Sequence, residues 1–237
     1  MKTLNRFIAQ VALVLGAGVA AAEPITMRLG FALNGPPPEL VAAIREGVAL
    51  QAKINPGVGH ELWLPVAHGS NMNAAQLIVY YDSAEHFAEA TMREEASAEW
   101  SAFLASFPNN KFPTVHTSIS SVLVRAPGFE PAKGGEVQVV VGFKVSGPIS
   151  DLVARINEGS AIQQRVNPQA TLSLVVPFLN GEDVDRAAVL VRYPTLEAWA
   201  EGRSKMQASS EWSEFISQPP AASTLVYQGL SQAAKIQ

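Results

Sequence analysis

The chain has 237 residues, a formal net charge of −4, 48% hydrophobic residues and no cysteine. That length allows one or two domains. The missing thiols exclude disulfides, cysteine nucleophiles, thiolate metal ligands and iron–sulfur clusters. A mildly acidic chain with no run of Lys or Arg excludes a grip on nucleic acid, which needs a basic patch.

Residues 1–22 read as a secretory signal peptide. Lys2 and Arg6 are basic, residues 8–19 are apolar, and Ala20-Ala21-Ala22 offers a small-residue cleavage site before Glu23-Pro24. The apolar run falls short of the roughly 20 residues that cross a bilayer. Cleavage removes Lys2 and Arg6 and moves the charge from −4 to −6. The expectation is an exported protein, periplasmic or secreted, with no membrane contact after cleavage.

Residues 26–34 alternate. Met27, Leu29, Phe31 and Leu33 share one face and Arg28, Gly30 and Ala32 the other, which predicts a half-buried strand. Gly35-Pro36-Pro37-Pro38 breaks it. Leu40, Val41, Ile44, Val48 and Ala52 then recur near helical spacing, predicting a helix over 39–54 that Asn55-Pro56 stops. Two strands follow, 58–67 and 74–82, joined by a polar loop starting at His68. Asp82 or Ser83 caps a second helix, and Asp82 with Glu85 has capping-box spacing. Residues 97–106 form a further short helix or the end of that one, and 114–125 the last strand. The order β-α-β-β-α-β is the ferredoxin-like arrangement.

The chain then says the same again. EASAEWSAF at 95–103 and QASSEWSEF at 207–215 share six of nine residues at an offset of 112. In the same register Gly30-Phe31 meets Gly142-Phe143, Glu46-Gly47 meets Glu158-Gly159, Asn55-Pro56 meets Asn167-Pro168, and Tyr81 meets Tyr193. Two copies are too few for a solenoid. The chain reads as unit one, 23–125, a Pro/Gly linker, 126–135, and unit two, 136–237. Trp100 with Phe103, and Trp212 with Phe215, share a helical face and are expected to plug the helix layer onto the sheet. Gly47 and Gly159 suit close helix packing, with Glu46 and Glu158 solvated.

Two such units, with a Glu-Trp pair in a short helix after the second main helix, resemble the dimeric α/β-barrel superfamily. The stretch Ser97-Ala98-Glu99-Trp100-Ser101-Ala102-Phe103 is similar to the corresponding part of NIPSNAP-like, EthD-like and antibiotic-biosynthesis-monooxygenase-like members. The resemblance implies an α+β fold in which two ferredoxin-like sheets pack face to face as a barrel, with helices outside, here within one chain. It also implies a small, partly apolar organic molecule in the inter-sheet cavity, with cofactor-free monooxygenase-, lyase- or isomerase-like chemistry. The superfamily is diverse, so a non-enzymatic binding or assembly module with a side-chain-filled barrel is the rival. The fused layout also resembles chlorite dismutase, a family that binds haem through a histidine of its second unit. All four histidines here, His60, His68, His86 and His116, lie in unit one. No cofactor is therefore expected, haem through a unit-one histidine being the alternative.

Polar residues on the cavity face that differ between the units are the site candidates. Cofactor-free proton transfer needs a base and an oriented donor in a dry pocket. His60 or His116 supplies the base, and Tyr80 or Arg28 polarises a carbonyl or enolate. Trp63, Gln76, Lys144 and Arg192 are expected to bind the ligand. Strict alternation sets His60 on the face opposite Trp63 unless a bulge intervenes. No metal is expected: His60 and His68 would stand roughly 26 Å apart along a strand, and no HExxH occurs. The enzyme reading requires Arg28, Tyr80, His60, His116 and Arg192 to share one space. The chain is expected to be a monomer or a homo-oligomer of such pseudo-dimeric chains.

Overall fold

The computed structural model describes residues 24–68, 74–125, 130–179, 185–218 and 223–237. Residues 1–22, where the signal peptide is expected, and residues 126–129 of the expected linker lie outside them.

In unit one, β1 (Ile25–Ala32), α1 (Pro37–Ile54), β2 (Gly59–His68), β3 (Ala74–Tyr81), α2 (Ala84–Ala96), α3 (Ala98–Ser106) and β4 (Thr114–Arg125) follow one another. Unit two repeats them as β5 (Val137–Val145), α4 (Ile149–Val166), β6 (Thr171–Leu179), β7 (Arg186–Tyr193), α5 (Leu196–Ala208), α6 (Ser210–Ser217) and β8 (Ser223–Ala234). Each unit places its first and third strands at the centre of an antiparallel sheet and leaves its second and fourth as edges. Those edges are taken by the other unit. β4 pairs with β6 and β2 with β8, closing the eight-strand barrel β1-β3-β2-β8-β5-β7-β6-β4. Closure leaves none of these eight strands with an unpaired edge.

Alternation decides which residues face the helices. Ile25, Phe31, Ala75, Leu77, Val79 and Tyr81 pack under Leu40 and Ile44 of α1 and Phe87 and Ala90 of α2. Arg28, Gln76 and Tyr80 point into the barrel. The three prolines that end β1 also begin α1: Pro36 is its N-cap and Pro37 its first residue. There the missing N–H has no helical partner to lose. Ser83, not Asp82, caps α2, accepting from the His86 amide, so no capping box forms at Asp82 and Glu85. Among the described residues no helix is long and apolar enough to cross a membrane.

The repeated stretch has a local meaning. Ser97 and Ser209 are extended, break the second helix, and cap the third through the amides of Trp100 and Trp212. That turns Phe103 and Phe215 toward the first helix of their unit. A Cβ on Gly47 would lie 2.6 Å from Phe103 Cζ, and one on Gly159 would lie 2.7 Å from Phe215 Cζ. The Trp–Phe pairs, with ring centroids 5.3 and 5.2 Å apart, are half-buried. They hold helix to helix rather than helix to sheet. Glu46 and Glu158 beside the glycines are exposed. Gly47→Val and Gly159→Val should each lower stability by about 1–3 kcal/mol through overpacking, seen as a lower urea midpoint.

Candidate functional site

One end of the barrel interior is filled. Arg192 from β7 reaches across it to β2 and β3, where its Nη2 donates to Glu61 Oε1 and, at 2.7 Å, to the Tyr80 hydroxyl. Its Nε donates to Gln138 Oε1 at 3.1 Å and its Nη1 to the Glu130 carbonyl at 3.2 Å. Tyr80 donates to Glu61 Oε1, and the Ala132 amide to Glu61 Oε2 at 2.9 Å. The guanidinium carbon stands 5.3 Å from the centre of the Trp63 ring. Linker residues 130–132 lie over this end, with Pro131 in the notch left by Gly59. Burial, then the neighbouring Glu61 charge, raises the Tyr80 hydroxyl well above its ordinary 10. Tyr80, Trp63 and Arg192 thus form a buried plug around Glu61, which is 0% exposed.

The other end is open. Arg28, Gln76, His116, Ser118, Arg186 and Tyr227 line a cavity of about 470 Å³ there. Register brings three predicted residues together, since Gly30 of β1 lies between Gln76 on β3 and His116 on β4. His116 Nε2 and Ser118 Oγ are 3.2 Å apart.

Two predicted residues lie elsewhere. Lys144 is exposed and pairs with Asp185 at 3.4 Å. His60 lies on the helix side, as strict alternation requires, and is 2% exposed. The shared space that the enzyme reading needs is absent: Arg28 and His116 occupy one end, Tyr80 and Arg192 the other, and His60 neither.

His60 instead belongs to a polar cluster beneath the helices of unit one. Its Nε2 shares a hydrogen bond with Gln51 Oε1. Gln51 Nε2 donates to Glu94 Oε1 at 2.5 Å, and Asn55 Nδ2 donates to the same oxygen at 2.9 Å. Burial pushes the His60 imidazole down to about 4. It pushes the Glu94 carboxyl up to about 7, against the two amide hydrogen bonds.

Moving 112 residues on shows what unit two changes. Gln163, Asn167 and Tyr193 repeat Gln51, Asn55 and Tyr81, but Leu172 replaces His60 and Met206 replaces Glu94. The sheet side is smaller too: Val139, Val141 and Val189 stand where unit one has Met27, Leu29 and Leu77. Phe112, fully buried in unit one, has the small, half-buried Ser223 as its counterpart in strand register. The result is a second cavity, between sheet and helices, of about 860 Å³. Its walls include Val139, Val141, Leu172, Val189, Val191, Met206 and Trp199, with Gln163, Tyr193, Arg155 and Arg203 as the chief polar residues. The candidates drawn from the sequence omit it, because they were sought only between the sheets.

No family model and no curated protein matches this chain. Solved structures do match its fold. A candidate monooxygenase from Fusobacterium nucleatum aligns with a TM-score of 0.60 at 12% identity, over 91% of this chain and 94% of that one. A chlorite dismutase variant from Candidatus Nitrospira defluvii aligns at 0.53 and 12%, over 92% and 93%. The fold is the dimeric α/β barrel. An anthrone oxidase-like protein shares this barrel at 0.53 and 12% identity, over 90% and 92%. Among the described residues the walls of the unit-two cavity offer haem iron no imidazole or thiolate, only the Met206 thioether, and burial raises the Tyr193 hydroxyl, which opposes a phenolate ligand.

Two outcomes test these assignments. Glu61→Gln leaves Arg192 buried without its counter-charge and should cost about 3–5 kcal/mol. Glu61→Leu combined with Arg192→Met should cost less than Glu61→Gln alone, both read from urea midpoints. The pH effects in unit one oppose each other. Glu94 stabilises the fold below its unfolded value of 4.5, and that stability is lost as pH rises to about 7. His60 contributes stability above its unfolded value of 6.5, lost as pH falls toward about 4. Glu94→Gln should therefore leave stability rising between pH 4 and 6.5, and His60→Leu should leave it falling between pH 4.5 and 7. Identical urea profiles against pH for the two variants would contradict the assignment.

Proposed function

We propose that this protein is an exported binder of a small, partly apolar organic molecule, held between sheet and helices of unit two rather than between the sheets. One observation carries the reading. The same fold, built twice in one chain, fills the space beneath the helices of unit one with Phe31, Phe87, Phe112 and the His60 cluster, and leaves a cavity of about 860 Å³ in unit two. That volume lies within the usual range for small-molecule sites, and an apolar wall with a few polar groups is their usual character. The monooxygenase and oxidase-like descriptions of the structural neighbours agree with an organic ligand. Binding is favoured over turnover because Tyr193, Arg155 and Arg203 are the only titratable groups among the described residues of the cavity walls, and burial raises the Tyr193 hydroxyl. The signal-peptide pattern at residues 1–22 supports export. Both edges of each sheet are used within the chain, so no second copy is needed to close the barrel.

The test fills the cavity with residues the fold already accepts. N-phenyl-1-naphthylamine, a neutral apolar fluorophore, should bind saturably at one probe per chain. Val139→Met, Val141→Leu and Val189→Leu together give unit two the sheet face of unit one. They should weaken probe binding by about tenfold or more, because the probe then buries less of its apolar surface. Unchanged probe affinity in a folded triple variant would rule the cavity out.

A further inference from the structure

We infer that the molecule bound in unit two carries a carbonyl-type oxygen on an apolar body, and that Gln163, with Asn167 beside it, binds that oxygen. The inference rests on the reading that this cavity holds a ligand.

The internal repeat shows what the two amides lack. In unit one Gln51 Nε2 and Asn55 Nδ2 both donate to one carboxylate oxygen of Glu94, and Asn55 Nδ2 also donates to the Ala90 carbonyl at 3.1 Å. Unit two keeps both amides at the same offset of 112 and loses the acceptor, since Met206 stands for Glu94. A thioether is a weak acceptor at best. Gln163 and Asn167 are 3% and 2% exposed, and their Nε2 and Nδ2 atoms find no partner among the described residues. Buried donors are nearly always satisfied, because a donor cut off from water loses its hydration for nothing in return. Gln163, deprived by that one substitution, therefore marks a missing acceptor, and the Asn167 amide lies beside it.

The place of that acceptor is accessible. Gln163, Tyr193 and Met206 all line the cavity. Gly202, where unit one has Ala90, lets the Asn167 amide lie against α5, with its Nδ2 2.2 Å from where a Cβ would be. Other buried donors lack partners as well, notably Trp63 Nε1 and Gln138 Nε2, but they sit in the sealed end of the barrel and line neither cavity. Only at Gln163 does the sister unit display the group that completes the site. That group is an oxygen taking two N–H donors, which a ketone, an ester or a carboxylic acid supplies equally. The remaining walls, Val139, Val141, Leu172, Val189 and Val191, ask for hydrocarbon.

Displacement of N-phenyl-1-naphthylamine tests this with three matched compounds: 2-ethylnaphthalene, 2-acetonaphthone and 2-naphthoate. The ketone or the acid should displace the probe at a concentration about tenfold or more below that of the hydrocarbon, the worth of satisfying a buried donor. The acid arm separates a carboxylate ligand from a neutral carbonyl, and either preference supports the inference. Gln163→Leu should bring the ketone and hydrocarbon to equal affinity. Met206→Glu, which supplies the acceptor from the chain as in unit one, should abolish the preference too. A readout without ligand keeps the test independent of variant binding: Gln163→Leu should not lower the urea midpoint, whereas Gln51→Leu should. Saturable probe binding with equal displacement by all three compounds would overturn the oxygen assignment. Absence of saturable probe binding in the unaltered protein would instead overturn the cavity as a ligand site.

Discussion

Two raw sheet edges per unit are the constraint on which this molecule is built. A four-stranded ferredoxin-like sheet presents two open rows of backbone donors and acceptors, and each row invites a stray strand. Here the rows are spent on each other, β4 on β6 and β2 on β8. Closure then forces both sheets to share one interior and both helix layers to lie outside. The ion pair of Glu61 and Arg192 belongs to this geometry. Each unit contributes one partner, 131 residues apart in the chain, and the pair sits where only a closed barrel buries both. Such a pair gives little net stability after desolvation, but it penalises any arrangement that leaves one partner alone.

Once both units serve the barrel equally, their outer faces are free to diverge. Unit one keeps a solid layer beneath its helices, with Phe31, Phe87 and Phe112 around it and the polar set His60, Gln51, Asn55 and Glu94 satisfied within it. Unit two gives up side-chain volume at several positions and one carboxylate. The backbone does not collapse to compensate, because each shared strand is pinned by neighbours from both sides. A void that an isolated domain would close is held open by the sister unit.

The sequence carried most of this architecture because the repeat fixes register without any structure. The faces of β1 and β3 followed from alternation, and so did the placing of His60 on the helix side, away from Trp63. What could not be read was which inward residues meet. Arg28 and Arg192 share the interior of one barrel, yet strand stagger and the overlay of residues 130–132 put one in open space and the other in a plug. Glu61 lay in plain view beside Trp63, but its partner is on a strand of the other unit. Lys144 has the inward parity of its strand and still turns outward to Asp185, because it stands near the strand end. The unit-two cavity depends on small differences of volume, such as Val for Met, and these alter no pattern. The missing acceptor was within reach: Gln163 and Asn167 repeat Gln51 and Asn55 while Met206 does not repeat Glu94.

The last residues of the chain are part of the first unit. Ile236 is 2% exposed within the apolar cluster of unit one, the Lys235 carbonyl accepts from Arg45 Nη2 at 2.9 Å, and Gln237 Nε2 donates to the His60 carbonyl at 3.0 Å. Those contacts span 190 and 177 residues. A core that waits on such distant segments forms late and slowly, since the closure entropy of the whole chain must be met first. The amino-terminal half, first to emerge during synthesis, is therefore the half that stays unfinished longest, with its β2 edge unpaired until β8 arrives.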